Sequence, residues 1–224
     1  MNITDSKIKK SLSVFVILLS LVILCEFSQA ALTVEDENKL GKEFYEKLED
    51  KGAFLQDRNI NEYVNTIGQK ILAQGGKSPF SFTFQVLNNP GINAFATPGG
   101  YVYIYSGLIR IAENEGQVAS VLAHEIAHVK GRHIARILEK SKKISIATMA
   151  AILAGAFLGG SDETTAAVTT FSIAAAASMN LKYTRDHEEE ADRLGMSYLV
   201  KAGYDGMGML DFLKIMRQYE YYSN

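Results

Sequence analysis

Residues 118–138 read Val118-Ala-Ser-Val-Leu-Ala-His124-Glu125-Ile126-Ala127-His128-Val-Lys-Gly-Arg-His133-Ile-Ala-Arg-Ile-Leu138. Val118, Val121, Leu122 and Ile126 recur at helical spacing, and Asn114 stands where such a helix needs its first cap. The periodicity runs onward to Leu138 and predicts one long helix. On it His124 and His128 are separated by about 40° of rotation, so both imidazoles leave one face and can share an ion. Glu125 lies one residue along, near enough to hold a water without entering the coordination sphere. A Lewis acid, an activated water and a base to take its proton are what metal-assisted peptide hydrolysis requires. In a chain with four histidines, chance would give this arrangement on the order of 0.005 times, so it needs an explanation.

One zinc ion bound this way needs a third protein ligand. His133 is close in sequence, but on a continuous helix it is rotated about 180° from His124 and about 140° from His128. It therefore reads as structural. A metzincin-like third histidine would fall at Ile134. The stretch His187-Glu188-Glu189-Glu190-Ala191-Asp192 offers more. Glu188 and Asp192 share one helix face, so Glu188 can ligate the ion while Asp192 accepts a hydrogen bond from a ligating histidine and fixes its tautomer. His187 is a further ligand candidate, because imidazole is a normal zinc donor. Taken alone, the acidic run could be a solvated face.

Outward from these motifs the pattern predicts an α+β domain. Thr33 with Asp36 begins a helix to Asp50 with Leu40, Phe44 and Leu48 inward, and Ile60 to Ala73 forms a second with Tyr63, Ile67 and Ile71 on one stripe. Ser81–Leu87, Asn93–Thr97 and Tyr101–Tyr105 read as three short strands separated by turn sequences. Short connections predict a small, mostly antiparallel three-stranded sheet beside the histidine helix. Tyr101, Tyr103 and Tyr105 alternate on one face and read as packing. Asn93, Ala94 and Phe95 are candidates for holding an extended peptide by main-chain pairing. Further helices are expected at Arg185–Leu199 and Asp211–Tyr221.

The ends and composition bound the rest. Lys7, Lys9 and Lys10, an apolar run from Leu12 to Cys25 and Ser28-Gln29-Ala30 read as a cleaved export signal over residues 1–30, with residues 31–224 as one domain. The run of about 14 apolar residues falls short of the ~20 that span a bilayer. Cys25 is the only cysteine, so the exported domain has no disulfide to rely on. Net charge is −2 and no basic block exists to neutralise phosphates, so nothing in the sequence predicts a nucleic-acid partner. Two small-residue segments, 144–160 and 165–179, read as closely packed interior helices, with a peripheral membrane contact left open.

The histidine motif followed by Thr184-Arg185, Glu188 and Glu190-Ala191-Asp192-Arg193 resembles the HtpX-like and BepA-like zinc peptidases, relatives of the CAAX prenyl endopeptidases. Asn93-Ala-Phe-Ala-Thr-Pro-Gly-Gly100 and Tyr101 to Leu108 match the segment those enzymes place beside the site. The resemblance covers Leu32 to Leu213. It implies a mostly helical, zincin-like (gluzincin) fold, one Zn2+ on His124, His128 and Glu188, Asp192 behind a ligand, and Glu125 as base. It also implies protein or peptide substrates, such as unfolded cell-envelope proteins, and a periplasmic setting. Family members usually continue into a Thr-His-Pro segment that this sequence lacks before Asn224, an expectation that favours a rival reading as a zinc-stabilised, non-catalytic chaperone or assembly factor for outer-membrane proteins. A second rival is a peptidase embedded in the membrane through the alanine-rich pair.

Overall fold

The computed structural model describes residues 32–139 and 183–212. The expected leader, both alanine-rich segments and most of the last expected helix lie outside the described residues. Helix α1, Val34–Asp50, begins with a reciprocal pair: the Thr33 hydroxyl accepts from the Asp36 amide at 3.1 Å, and the Asp36 carboxylate accepts from the Thr33 amide at 3.0 Å. Two donors that a helix start otherwise strands are thereby satisfied. Helix α2, Arg58–Leu72, is capped by Asp57 and buries Val64, Ile67 and Ile71. Tyr63, expected on that stripe, is 38% exposed. The two four-residue steps from 63 to 71 drift by about 80° around the helix, whereas the three-then-four spacing from Val64 drifts by only about 20°.

Strands β1 (Thr83–Leu87), β2 (Ala94–Thr97) and β3 (Tyr101–Tyr105) form a sheet in the order β1-β3-β2. β2 and β3 are an antiparallel hairpin, and β1 pairs with β3 in parallel. The α+β class holds, but the sheet is mixed where short connections predicted a mostly antiparallel one. That expectation took strands consecutive in sequence to be neighbours in space. Here residues 88–93 carry the chain past the end of β3, where Tyr105 donates its amide to Asn93 O and Gly107 donates to Asn89 O, each at 2.9 Å. Two strand spacings are about 10 Å, well within the reach of six residues.

After α3 (Ser106–Ile111) come α4 (Glu115–Lys130), α5 (His133–Glu139) and α6 (Arg185–Lys201). Both faces of the sheet are covered. Val102 and Ile104 join Phe84, Val86 and Ala96 in a core shared with α2, α4 and α6. Tyr103 and Tyr105 point the other way, into an aromatic cluster with Phe95 and Phe44 of α1. The tyrosines are packing, as their alternation suggested.

Asn114 caps α4 through its side chain, which accepts from the Gln117 amide at 3.1 Å. The single helix expected as far as Leu138 is two. α4 stops at Lys130, and Arg132 takes φ 53, a left-handed conformation that residues with a Cβ seldom adopt. Its guanidinium is held by the buried Glu37 carboxylate at 2.6 Å and by the Leu32 carbonyl, so α1 braces the break. Among the described residues no helix is long and apolar enough to cross a membrane.

Candidate active site

α4 is buried along most of its length and carries His124, Glu125 and His128 into the middle of the domain. α6 crosses it at Gly195, where a Cβ would stand 3.1 Å from the Ala123 carbonyl and the His124 Cα. Only a residue without a side chain permits that approach without displacing backbone. The approach brings the first turns of α6, capped by Thr184, against the two histidines. Their Nε2 atoms lie 2.8 Å apart. Glu188 offers one oxygen 3.6 Å from His124 Nε2 and the other 3.7 Å from His128 Nε2. These three residues have ligand atoms within 4.8 Å of one another. Behind them, Asp192 Oδ1 is 3.0 Å from His124 Nδ1. A carboxylate only accepts, so His124 carries a proton on Nδ1, which makes Nε2 the nitrogen it can offer to a metal. Two imidazoles and a carboxylate converging in this way suit a zinc ion by number and by chemistry.

Glu125 is buried, and its Oε2 has no hydrogen-bond partner among the described residues. Burial pushes its pKa up to about 7, with Glu188 adding to the rise while His124 and an amide hydrogen bond from Ala96 oppose it. Burial, with the neighbouring His124, His133 and His187, drives His128 down to about 2, so its imidazole is neutral. Burial pulls His124 down as well, yet the hydrogen bond to Asp192 and the charges of Glu125, Glu188 and Asp192 carry it above its usual value. Burial raises Glu188, assisted by Asp192 and opposed by His124. The site thus holds a buried carboxylate poised near neutrality beside a pair of imidazole donors.

The candidate peptide-holding residues lie at the start of β2, an edge of the described sheet. Asn93 gives its carbonyl to Tyr105, and the Phe95 ring is buried against Phe44, Tyr103 and Tyr105. What joins this strand to the site is main chain, through the Ala96 amide on Glu125.

Three other residues stand against the histidines. His133, expected to point away, has Nδ1 2.8 Å from His128 Nδ1 and Nε2 3.3 Å from Glu190, which Arg136 holds at 3.0 Å. The rotation argument failed because it assumed an unbroken helix; Gly131, a common helix-ending residue, was the available warning. His187 lies outside the cluster of three donors and stacks on His133, with centroids 4.6 Å apart and planes at 14°. Tyr183, which sequence reasoning passed over, stacks on His128 at 3.8 Å and 24°. Nothing in the local sequence distinguishes it from an ordinary packing tyrosine.

Fold and site together define a metallopeptidase domain of the zincin type, with a histidine pair on one helix and a glutamate on another. The profile of Peptidase family M48 matches residues 58–223, and the chain belongs to that family, a family of zinc metalloproteases. It is 38% identical over 197 residues to a Vibrio cholerae protein of the beta-barrel assembly-enhancing protease type, covering 87% of this chain and 40% of that one. The beta-barrel assembly-enhancing protease of Escherichia coli strain K12 is 33% identical over 196 residues, with the same two coverages. The mitochondrial metalloendopeptidase OMA1 of Schizosaccharomyces pombe is 31% identical over 143 residues, 64% of this chain and 40% of that protein. The chain thus spans about two fifths of the length of the curated relatives it matches.

Proposed function

We propose that this chain is a zinc-dependent endopeptidase that cuts unfolded or misassembled cell-envelope proteins. The observation that carries the reading is the convergence of His124, His128 and Glu188 beside a buried Glu125. The two imidazoles and the Glu188 carboxylate would hold one Zn2+, with Asp192 keeping His124 in the tautomer that can bind it. Bound there, zinc would supply a Lewis acid to polarise the scissile carbonyl and acidify water. Glu125 takes the proton of the attacking water and passes it to the leaving amine, a task suited to a buried carboxylate whose Oε2 has no hydrogen-bond partner among the described residues. β2 offers main-chain groups beside Glu125, and an extended peptide adding to that edge would be held with little regard for its sequence. Such binding suits unfolded clients. The envelope setting is supported by the export-like leader and by the beta-barrel assembly named for the bacterial relatives. A peripheral membrane contact is compatible with that setting.

The test compares the wild-type chain with Glu125→Gln for zinc content and casein cleavage. We expect one zinc in both, with cleavage reduced by about 10²–10⁴-fold in the variant. Cleavage at the wild-type rate by Glu125→Gln would remove Glu125 from the mechanism. Zinc in both without cleavage by either would favour the non-catalytic assembly factor.

A further inference from the structure

We propose that His133 is a positioning residue for the metal centre: it ties Glu190 to His128 through two consecutive hydrogen bonds and so fixes which nitrogen of His128 is free to bind zinc. The inference rests on His128 being a ligand.

The proton positions follow from the end of the chain of contacts. The Glu190 carboxylate, paired with Arg136 at 3.0 Å, is an acceptor only. His133 Nε2 faces it at 3.3 Å and must therefore donate. A neutral imidazole that donates through Nε2 has a lone pair on Nδ1. His133 Nδ1 is 2.8 Å from His128 Nδ1, so the proton between them belongs to His128. His128 Nε2 is then the nitrogen left for a metal, as His124 Nε2 is once Asp192 has taken the Nδ1 proton; the two lie 2.8 Å apart and, with no metal bound, share one proton between them. The two ligating histidines thus reach equivalent states by different routes, one through a carboxylate and one through a histidine backed by a carboxylate. Partners of this kind orient a ligand ring and raise its basicity.

The fold takes trouble to put His133 there. It is fully buried, and His187 stacks on it. Arg132 turns the chain through its left-handed conformation, and the His133 ring folds back over Gly131, where a Cβ would stand 2.3 Å from His133 Nε2.

The test uses the full chain labelled with 15N-histidine. Long-range proton–nitrogen spectra of the wild type should find His133 protonated on Nε2 and His128 on Nδ1. A proton on His133 Nδ1 overturns the proposal without any variant. Zinc affinity is then measured by competition with a chromophoric chelator. His133→Leu should weaken it by about 10–100-fold, and His133→Asn, whose amide oxygen can accept where Nδ1 does, should recover most of the loss. Equal losses in both variants, or none in His133→Leu, reduce His133 to packing and sink the proposal. Should the leucine variant fail to fold, the wild-type spectra and the asparagine variant still decide. A wild type that binds no zinc removes the ligand reading itself, and this inference with it.

Discussion

α4 and α6 supply the two halves of one site, and they are built in opposite ways. α4 is buried on nearly every side, from Gln117 to Val129 with few interruptions. α6 buries only His187, Ala191, Gly195, Tyr198 and Leu199 and keeps its charged residues toward water. The difference follows from what each must deliver. Imidazoles bind metal when neutral, and burial favours their neutral form, so a core helix suits them. A carboxylate binds a metal when charged, and full burial would tend to protonate it, so the proposed ligand Glu188 rides a helix that is half in solvent. Glu125 is the exception: a carboxylate on the buried helix, whose pKa burial pushes up to about 7 in the metal-free chain.

If α4 is core first and site second, the largest effect should come from its packing. Ile126→Ala empties a fully buried position and should cost about 2–5 kcal/mol, read from urea unfolding. Glu189→Ala on α6 loses only an exposed pair with Arg185 and should stay within about 0.5 kcal/mol. Similar losses in the two variants would break the contrast between the helices.

The Glu125 exception sharpens it further. Its carboxyl titrates near 4.5 when the chain is unfolded and at about 7 in the fold. The folded state therefore keeps its proton longer. Glu125 supports the metal-free protein most below pH 4.5, loses that contribution as the pH rises to about 7, and changes little beyond. The loss is on the order of 3 kcal/mol. Metal-free wild type should accordingly lose stability relative to Glu125→Gln between about pH 5 and pH 8. A constant difference over that range would mean that Glu125 is solvated like a surface carboxylate.

The same contrast explains what could be read in the sequence. α4 was legible because its motif is local: His124, Glu125 and His128 lie within one turn and a half, and a helix fixes their directions. The cap residues Thr33 and Asn114 were legible for the same reason, since each acts on an amide three residues away. Strand order was not, because nothing within 88–93 states on which side of β3 the next strand will lie. His133 was misjudged because its direction depends on one left-handed residue, Arg132, and arginine gives no local sign of that conformation. The brace that holds Arg132 there, Glu37, is 95 residues away in the chain. Tyr183 meets His128 only after the chain has passed through another 50 residues or so, and no periodicity links the two.

The support that α6 gives to α4 can be weakened in two steps. Asp192→Ala removes the acceptor on His124 Nδ1 and should lower zinc affinity by about 10–100-fold, with Asp192→Asn, which can still accept there, at the small end of that range. An unchanged affinity in both would show that His124 is oriented by packing alone. The finest probe is Gly195→Ala. In a helix this change gains about 1 kcal/mol from propensity, but overpacking costs about 1–3 kcal/mol. The atoms that its Cβ would meet at 3.1 Å belong to the backbone of Ala123 and His124 and cannot rotate away. The second effect should therefore win by about 1 kcal/mol, and because it acts by lifting α6 from His124, zinc affinity should fall along with stability. A variant that is more stable and binds zinc as well as the wild type would mean that the two helices can slide apart without disturbing the site, and that their contact at Gly195 does not set the distance from Glu188 to the histidines.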